Sequence, residues 1–371
     1  MSPPPRPQPS SAEVARRAGV SRTTVSFVLN DVRDRGISEA TRERVLAVAR
    51  EMGYEPHAAA RMLAGGATGT VALVVPRMAH LAVDAFLAQL VASINAECHH
   101  HGLALLIEST EDEGREPGGF LRLVRGRRID GLIVAHLRTA EIEHLQQLRA
   151  GGVPLVVFGC ALPDAAGFHT MGDDTGRSAR LAVDHLLDLG HRCVAFVNYA
   201  QPEFHSVNQR ERGWREALQA RGITPDAAWL AHADISAESG YLATRRLLAR
   251  GVPFTALFAG NDTIAFGVLR ALREAGRRVP QDVAVVGYDD IPLAPFADPP
   301  LSTVHTDPAA HGRQAVQLLL AQLRPGAALA APAAAPVPRL VVRASCGAPP
   351  QNAGHAAAPS VAVAKPRARR A

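Results

Sequence analysis

Lysine is nearly missing from this 371-residue chain: of its 40 Lys and Arg residues, Lys365 is the only lysine. Arginine offers a planar fork that suits phosphate and guanine, although a GC-rich coding bias produces the same preference with no functional meaning. Cysteine is scarce as well. Cys98, Cys160, Cys193 and Cys346 lie far apart with no CxxC pair, which speaks against a zinc site or a disulfide framework and leaves reduced thiols as the expectation. No apolar run is long enough to cross a bilayer, and the opening MSPPPRPQPSS lacks the apolar core of a secretion signal. We therefore expect a cytoplasmic protein with no membrane partner.

Catalytic signatures are missing too. GxxxxGK followed by Ser or Thr, GxSxG and HExxH do not occur, so phosphate-loop, hydrolase and zincin chemistry find no support; no enzyme, cofactor or bound metal is expected. His99, His100 and His101 invite a metal reading, but consecutive helix side chains point about 100° apart and do not converge. They suit a helix C-terminus just before Gly102.

What is present falls into two textures, in a chain that is 47% hydrophobic with a net charge of +5. In the first, Val14, Ala15 and Ala18 stand at helical spacing, Gly19 breaks the run, and Val25, Val28 and Leu29 resume it. This is a helix-turn-helix pattern. Ser10 with Glu13 fits a capping box, and Ser21 can cap the second helix. Ser38 can cap a third, whose Val45, Leu46 and Ala49 close a small core with Tyr54 before Pro56 stops it. The second helix turns Arg22, Thr23, Ser26 and Asn30 outward with no acidic residue before Asp31, a face able to approach base edges. A plain three-helix bundle shares the spacing but mixes both signs of charge on such a face. The next stretch, HAAARML, is short, weakly amphipathic and followed by Gly65 and Gly66, so alone it is marginally helical.

From Thr70 apolar strand runs alternate with amphipathic stretches: VALVVP, LALLIES, GLIVAHL and PLVVFG, then a second set opening at HTMGDD and continuing through CVAFVNY, WLAHAD, TALFAG and VAVVGYDD. Continuous apolar strands between helices predict parallel sheets covered on both faces, here in two doubly wound lobes.

EVARRAGVSRTTVSFVLN, ISEATRERVLAVAREMGYEP, HAAARMLAG, GNDTIAFG and VVGYDDIP occur in this order, and through them the chain from Ser10 to Gly347 resembles the lac-repressor-type (LacI/GalR) family of bacterial transcription regulators. The resemblance implies an N-terminal all-α helix-turn-helix DNA-binding domain at 10–56 and a hinge helix and linker at 57–69. It implies an α/β periplasmic-binding-protein-like sensor of two parallel-sheet lobes at 70–346, for effector binding and dimerisation. Pro300 to Asp307 and the helix after Ala309 are expected to return to the first lobe, with RLVVRAS as a late strand. Residues 1–9 and the basic tail at 347–371 have disordered composition. The chain carries no leucine heptad like the tetramerisation tail of some relatives, so the expectation is a homodimer on a palindromic operator, controlled by a small-molecule effector that is a sugar or sugar derivative.

Residue by residue, Arg22 and Thr23 match the family's first base-reading positions, and Ser26 and Asn30 its phosphate or further base contacts. Phe27 departs from the arginine that some members carry, while Ser21 and Thr24 suit phosphate contact or capping. In the hinge, Leu63 matches the leucine wedge of the minor groove and Ala60 the small residue beside it. For the effector, the resemblance points to Arg210, to Asn261 of the GND motif, and to Asp289, the first acid of YDD, with Phe86 covering the apolar face of a sugar ring. Asp262 and Asp290 fit better as helix and turn caps, and Trp214 as core. Gly159 stands where the lac repressor has an aspartate, which leaves the ligand open; Phe204, His205 or Asn208 can substitute. The rival reading is a sugar-binding protein with no role in gene control.

Overall fold

The computed structural model describes residues 9–29, 32–33, 35–54, 67–110, 119–159, 169–172, 174–324 and 337–348. Asn30, Ala60, Leu63, Cys160 and both chain ends lie outside the described residues.

Three helices, α1 (Ser11–Ala18), α2 (Arg22–Leu29) and α3 (Glu39–Met52), close around Val14, Ala18, Val25, Val28, Val45 and Ala49. Each start has a local cause: Ser10 Oγ accepts the Glu13 N–H at 3.3 Å, Ser21 Oγ the Thr24 N–H at 3.0 Å, and Ser38 Oγ the Thr41 N–H at 3.3 Å. Only half of the expected capping box forms, because the Glu13 carboxylate turns to Arg16 at 3.3 Å. Gly19 ends α1 with φ 66°, a left-handed turn that costs glycine nothing. From α3, Arg44 Nε donates to the Ala18 carbonyl at 2.9 Å and buried Arg42 donates to the Val32 carbonyl. These two arginines tie the turn and the following loop to the third helix.

The first lobe is a fully parallel sheet of β1 (Thr70–Val75), β2 (Ala104–Ser109), β3 (Gly131–Ala135), β4 (Leu155–Phe158) and β5 (His169–Met171), in the order β2-β1-β3-β4-β5. Helices α4 (Ala85–His100), α5 (Leu121–Arg125) and α6 (Ile142–Ala150) belong to it. Separate apolar clusters, one around Leu90 and Ile94 and one around Phe120 and Leu145, show both sheet faces covered. The second lobe has α7 (Thr175–Asp188), β6 (Val194–Asn198), α8 (His205–Ala220), β7 (Leu230–His232), α9 (Ala237–Ala249), β8 (Ala256–Ala259), α10 (Asp262–Glu274), β9 (Ala284–Asp289) and β10 (Ser302–His305). After β10 the chain returns to the first lobe as α11 (Pro308–Leu323), which packs on α4, β3 and β4. It then comes back as β11 (Arg339–Val341), antiparallel to β10, at the edge of a sheet ordered β11-β10-β9-β8-β6-β7.

Two expectations are corrected. Pro300 to Asp307 does not return to the first lobe: Ser302–His305 pairs in parallel with Val286–Asp289, its buried side chains extending the second sheet, and only α11 crosses back. HTMGDD does not open the second lobe: His169–Met171 pairs with Val156–Phe158 as the edge strand of the first sheet, and Met171 is buried in that lobe's core. The crossing comes only after this strand has covered the open edge of β4.

Two helix pairs in the second lobe meet at backbone contact. A Cβ on Gly213 of α8 would fall 2.1 Å from the Gly176 carbonyl oxygen of α7, and one on Gly267 of α10 would fall 1.9 Å from the Ala237 oxygen of α9. The first contact seats α8 and the arginine three residues before Gly213. Gly213→Ala should therefore force the helices apart and destabilise the sensor by about 1–3 kcal/mol; the check is a lowered urea midpoint in the denaturation curve.

Candidate functional site

The C-terminal ends of the strands in both sheets meet across a narrow cleft with a cavity of about 30 Å³. The first lobe contributes Phe86, His136 and Gly159, and the second Tyr199, Arg210, Asp289 and Thr306. His136, Gly159, Tyr199 and Thr306 directly follow the ends of β3, β4, β6 and β10, Asp289 is the last residue of β9, and Phe86 and Arg210 come from α4 and α8; the C-terminal strand ends are where parallel sheets place ligand-binding groups.

Arg210, buried on α8, lies at the centre. Its guanidinium carbon is 3.8 Å from the Tyr288 ring centroid and 4.4 Å from that of Tyr199, and Nη1 donates to the Gly260 carbonyl. Burial works against the charge, but Tyr288, Tyr199 and Asp289 outweigh it and hold the guanidinium pKa above its ordinary value. Its Nε is buried without a hydrogen-bond partner, a donor left for a ligand. Asp289, at the end of β9, has φ 113°, and burial drives its carboxyl well above the usual range while Arg210 pulls it back. Facing them from the first lobe, Asp84 caps α4 by accepting the Phe86 N–H at 3.0 Å. Burial pushes its pKa up to about 6, against two backbone hydrogen bonds and the charge of Arg210.

His136 follows β3 with φ 57°, and both ring nitrogens are buried without partners. Burial first, then Arg210 and His80, hold its pKa down to about 3, so the imidazole is neutral and presents one donor and one acceptor. The apolar wall is Phe86, stacked on Phe158 with centroids 6.1 Å apart and planes 19° apart.

Phe86, Arg210 and Asp289 thus meet in one cleft, as the sequence suggested. Asn261 does not line it: its Oδ1 caps α10 by accepting the Ile264 N–H at 2.8 Å. Asp262 and Asp290 are structural. Asp262 accepts the Thr303 hydroxyl at 2.7 Å and the Ile291 N–H at 2.9 Å, while Asp290 pairs with Arg343 at 2.6 Å and His305 at 3.0 Å. Trp214 is wholly buried and donates to the Val194 carbonyl at 3.0 Å. Phe204, His205 and Asn208 do not line the cleft, whereas Ser206 beside them does. Sequence reasoning missed Asp84, His136, Tyr199 and Tyr288. The signal available for the last three was their place within a residue of a strand's end.

On the helical head, Arg22 and Thr23 are exposed at the start of α2, with Ser26 and Phe27 half-buried one turn on. Arg35 lies over the Phe27 ring at 5.4 Å, adding positive charge to this face. Ser21 and Thr24 bond to one another at 2.9 Å as part of the cap.

The raised Asp84 carboxyl has a consequence for stability. The folded state keeps a proton that an unfolded aspartate sheds near pH 4, so this group's stabilising effect is complete below pH 4, declines between pH 4 and 6 and stays lost above. Asp84→Asn retains the acceptor for Phe86 and removes the titration. Its unfolding free energy should match the parent's at pH 4 and exceed it by roughly 3 kcal/mol at pH 7.5, read from denaturation curves at the two pH values; equal stabilities of the two proteins at both pH values would contradict this.

Comparison with known proteins agrees with this two-part architecture. Residues 12–57 match the model of bacterial regulatory proteins, lacI family, and residues 183–346 the model of the periplasmic binding protein-like domain. The regulator CelR of Thermobifida fusca is 36% identical over 320 residues, 85% of this chain and 92% of its own. The HTH-type transcriptional repressor PurR of Photobacterium profundum is 31% identical over 313 residues, 84% of this chain and 91% of its own. Among solved structures, the lac repressor dimer bound to operator and the anti-inducer ONPF aligns with a TM-score of 0.77 at 30% identity, covering 91% of this chain and 99% of that one. A CelR–cellobiose complex aligns with a TM-score of 0.64 at 32% identity over the same shares. With a helix-turn-helix head, two parallel-sheet lobes and relatives matched over most of their length, the chain belongs to the lacI family of bacterial regulatory proteins and is a DNA-binding transcription regulator.

Proposed function

We propose that this regulator represses transcription in the cytoplasm by binding a palindromic operator as a homodimer, and that a sugar or sugar derivative in the interlobe cleft controls it. The observation that carries the effector reading is the unpartnered Nε of buried Arg210, in a cleft that also offers neutral His136, the carboxyl of Asp289 and an aromatic wall. Sugar hydroxyls donate and accept at once and match such a mixed lining, while the ring's apolar face suits Phe86. The cellobiose in the CelR structure supports the same class of ligand. No catalytic step is assigned to the cleft.

On the DNA side, residues 10–56 carry the reading head, with Arg22, Thr23, Ser26, Phe27 and Asn30 toward the major groove and Ser21 and Thr24 at the backbone. Residues 57–69 form the hinge, with Leu63 and Ala60 toward the minor groove. The sensor spans 70–346. Support for a dimer comes from the rim after β9, where Phe296 is 83% exposed and Leu293 59%. Two neighbouring large apolar side chains left to water mark a surface that a second copy covers. By linkage, effector and operator must alter each other's affinity by the same factor.

Footprinting of the full chain on its own promoter DNA should show a symmetric protected sequence that weakens or strengthens when a sugar panel is added. Absence of any protected sequence would remove the regulator reading; protection indifferent to every sugar and sugar phosphate would remove the effector reading alone. Arg22→Ala should weaken specific binding by about 1–3 kcal/mol, relaxing discrimination at one base pair in each half-site. Phe296→Asp should shift the sedimentation profile from dimer toward monomer and lower operator affinity with it.

A further inference from the structure

We propose that Asp234 is the catch of a clasp that holds the two lobes shut over the cleft and sets how readily the cleft opens. The proposal rests on the reading of that cleft as the effector site. From the first lobe, Arg77 Nη1 reaches Asp234 Oδ2 at 2.8 Å, and His80 Nε2 stands 3.4 Å from Asp234 Oδ1. Asp234 belongs to the second lobe, in the turn between β7 and α9, where its N–H donates to Ser239 Oγ at 2.9 Å and its carbonyl accepts the Ser236 N–H at 2.6 Å. The carboxylate is thus held on a built turn and reaches across to the first lobe.

Both ends of the clasp lead into the cleft by short bonded paths. On the second-lobe side the next residue, Ile235, has φ 60°, a left-handed conformation that a β-branched side chain adopts only under constraint. Its N–H donates to the Tyr199 carbonyl at 2.7 Å, and Tyr199 covers one face of Arg210. On the first-lobe side the His80 carbonyl accepts the Asp84 N–H at 2.8 Å, and Asp84 caps the helix that carries Phe86. Opening the clasp therefore moves the tyrosine on one wall and the phenylalanine on the other.

A second interlobe contact lies beside it. Arg138 stacks on Phe204 at 5.5 Å, the Thr139 N–H donates to the Glu203 carbonyl at 3.1 Å, and the His205 N–H donates to the Leu137 carbonyl at 3.0 Å. These two amides report on closure, since separating the lobes exposes both to solvent.

Amide hydrogen exchange on the ligand-free full chain tests the clasp. Asp234→Asn and, separately, Arg77→Gln should speed exchange at Thr139, His205 and Ile235 by roughly fivefold, the most that a half-exposed ion pair delivers. Exchange in α1–α3 and in buried β8 should stay unchanged. Swapping the pair, Arg77→Asp with Asp234→Arg, should restore slow exchange, which a merely structural loss at either position would not. Unchanged exchange in both single variants, or a swap that fails to rescue, overturns the clasp. Because no ligand enters this measurement, it separates the two ideas: a chain that responds to sugar with unaltered exchange loses the clasp and keeps the effector site. Faster exchange in a chain whose operator binding ignores every sugar keeps the clasp and loses the effector reading.

Discussion

A single buried cation governs the sensor. An uncompensated guanidinium away from water costs several kcal/mol, so every group around Arg210 must contribute to holding it. Tyr199 and Tyr288 cover its two faces, the Gly260 carbonyl takes one of its N–H groups, and Asp289 and Asp84 supply opposing charge. The arrangement needs backbones at unusually close range. A Cβ on Gly260 would fall 2.8 Å from the Tyr199 nitrogen, and the contact between Gly213 and Gly176 brings α8 near enough for its arginine to reach.

The link from cleft to DNA begins where the chain enters the first lobe. The Thr68 and Gly69 amides donate to the two oxygens of Asp130 at 2.6 and 2.7 Å, just before β1. A charge-assisted pair of bonds to backbone amides is stiff, so whatever displaces the first lobe displaces the point at which the chain enters it from the helical head. The lobes cannot move independently, because the chain passes between them after β5, after β10 and again before β11. Their relative rotation is the degree of freedom that a ligand in the cleft can bias.

Much of this was legible in the sequence because burial writes a simple code. Runs such as VALVV and GLIVA are apolar throughout, as a sheet covered on both faces requires, and Ser10, Ser21 and Ser38 announce helix starts by their chemistry. The edge strand His169–Met171 was assigned to the wrong lobe because three residues, two of them polar, carry no periodicity and because membership in a sheet is a tertiary fact. Asp84, His136 and Tyr288 escaped for a related reason: each matters through what the opposite lobe places beside it. Asn261 shows the reverse case, a motif residue whose polarity is consumed by its own helix.

The contacts across the cleft are of the kinds that are individually weak: a half-exposed ion pair, a cation over a ring, and two backbone bonds. The lobe cores, by contrast, are continuous and wholly buried around residues such as Phe196, Phe258, Leu90 and Ile94. Rigid bodies joined by weak contacts have two arrangements close in free energy, and that closeness is a requirement for control. A ligand shifts an equilibrium only by its difference in affinity for the two states, so a gap of a few kcal/mol is the largest that a small ligand can overturn. Replacing the cleft's polar rim by a packed apolar interface would stabilise the closed sensor and, by the same step, leave the operator-binding head deaf to its effector.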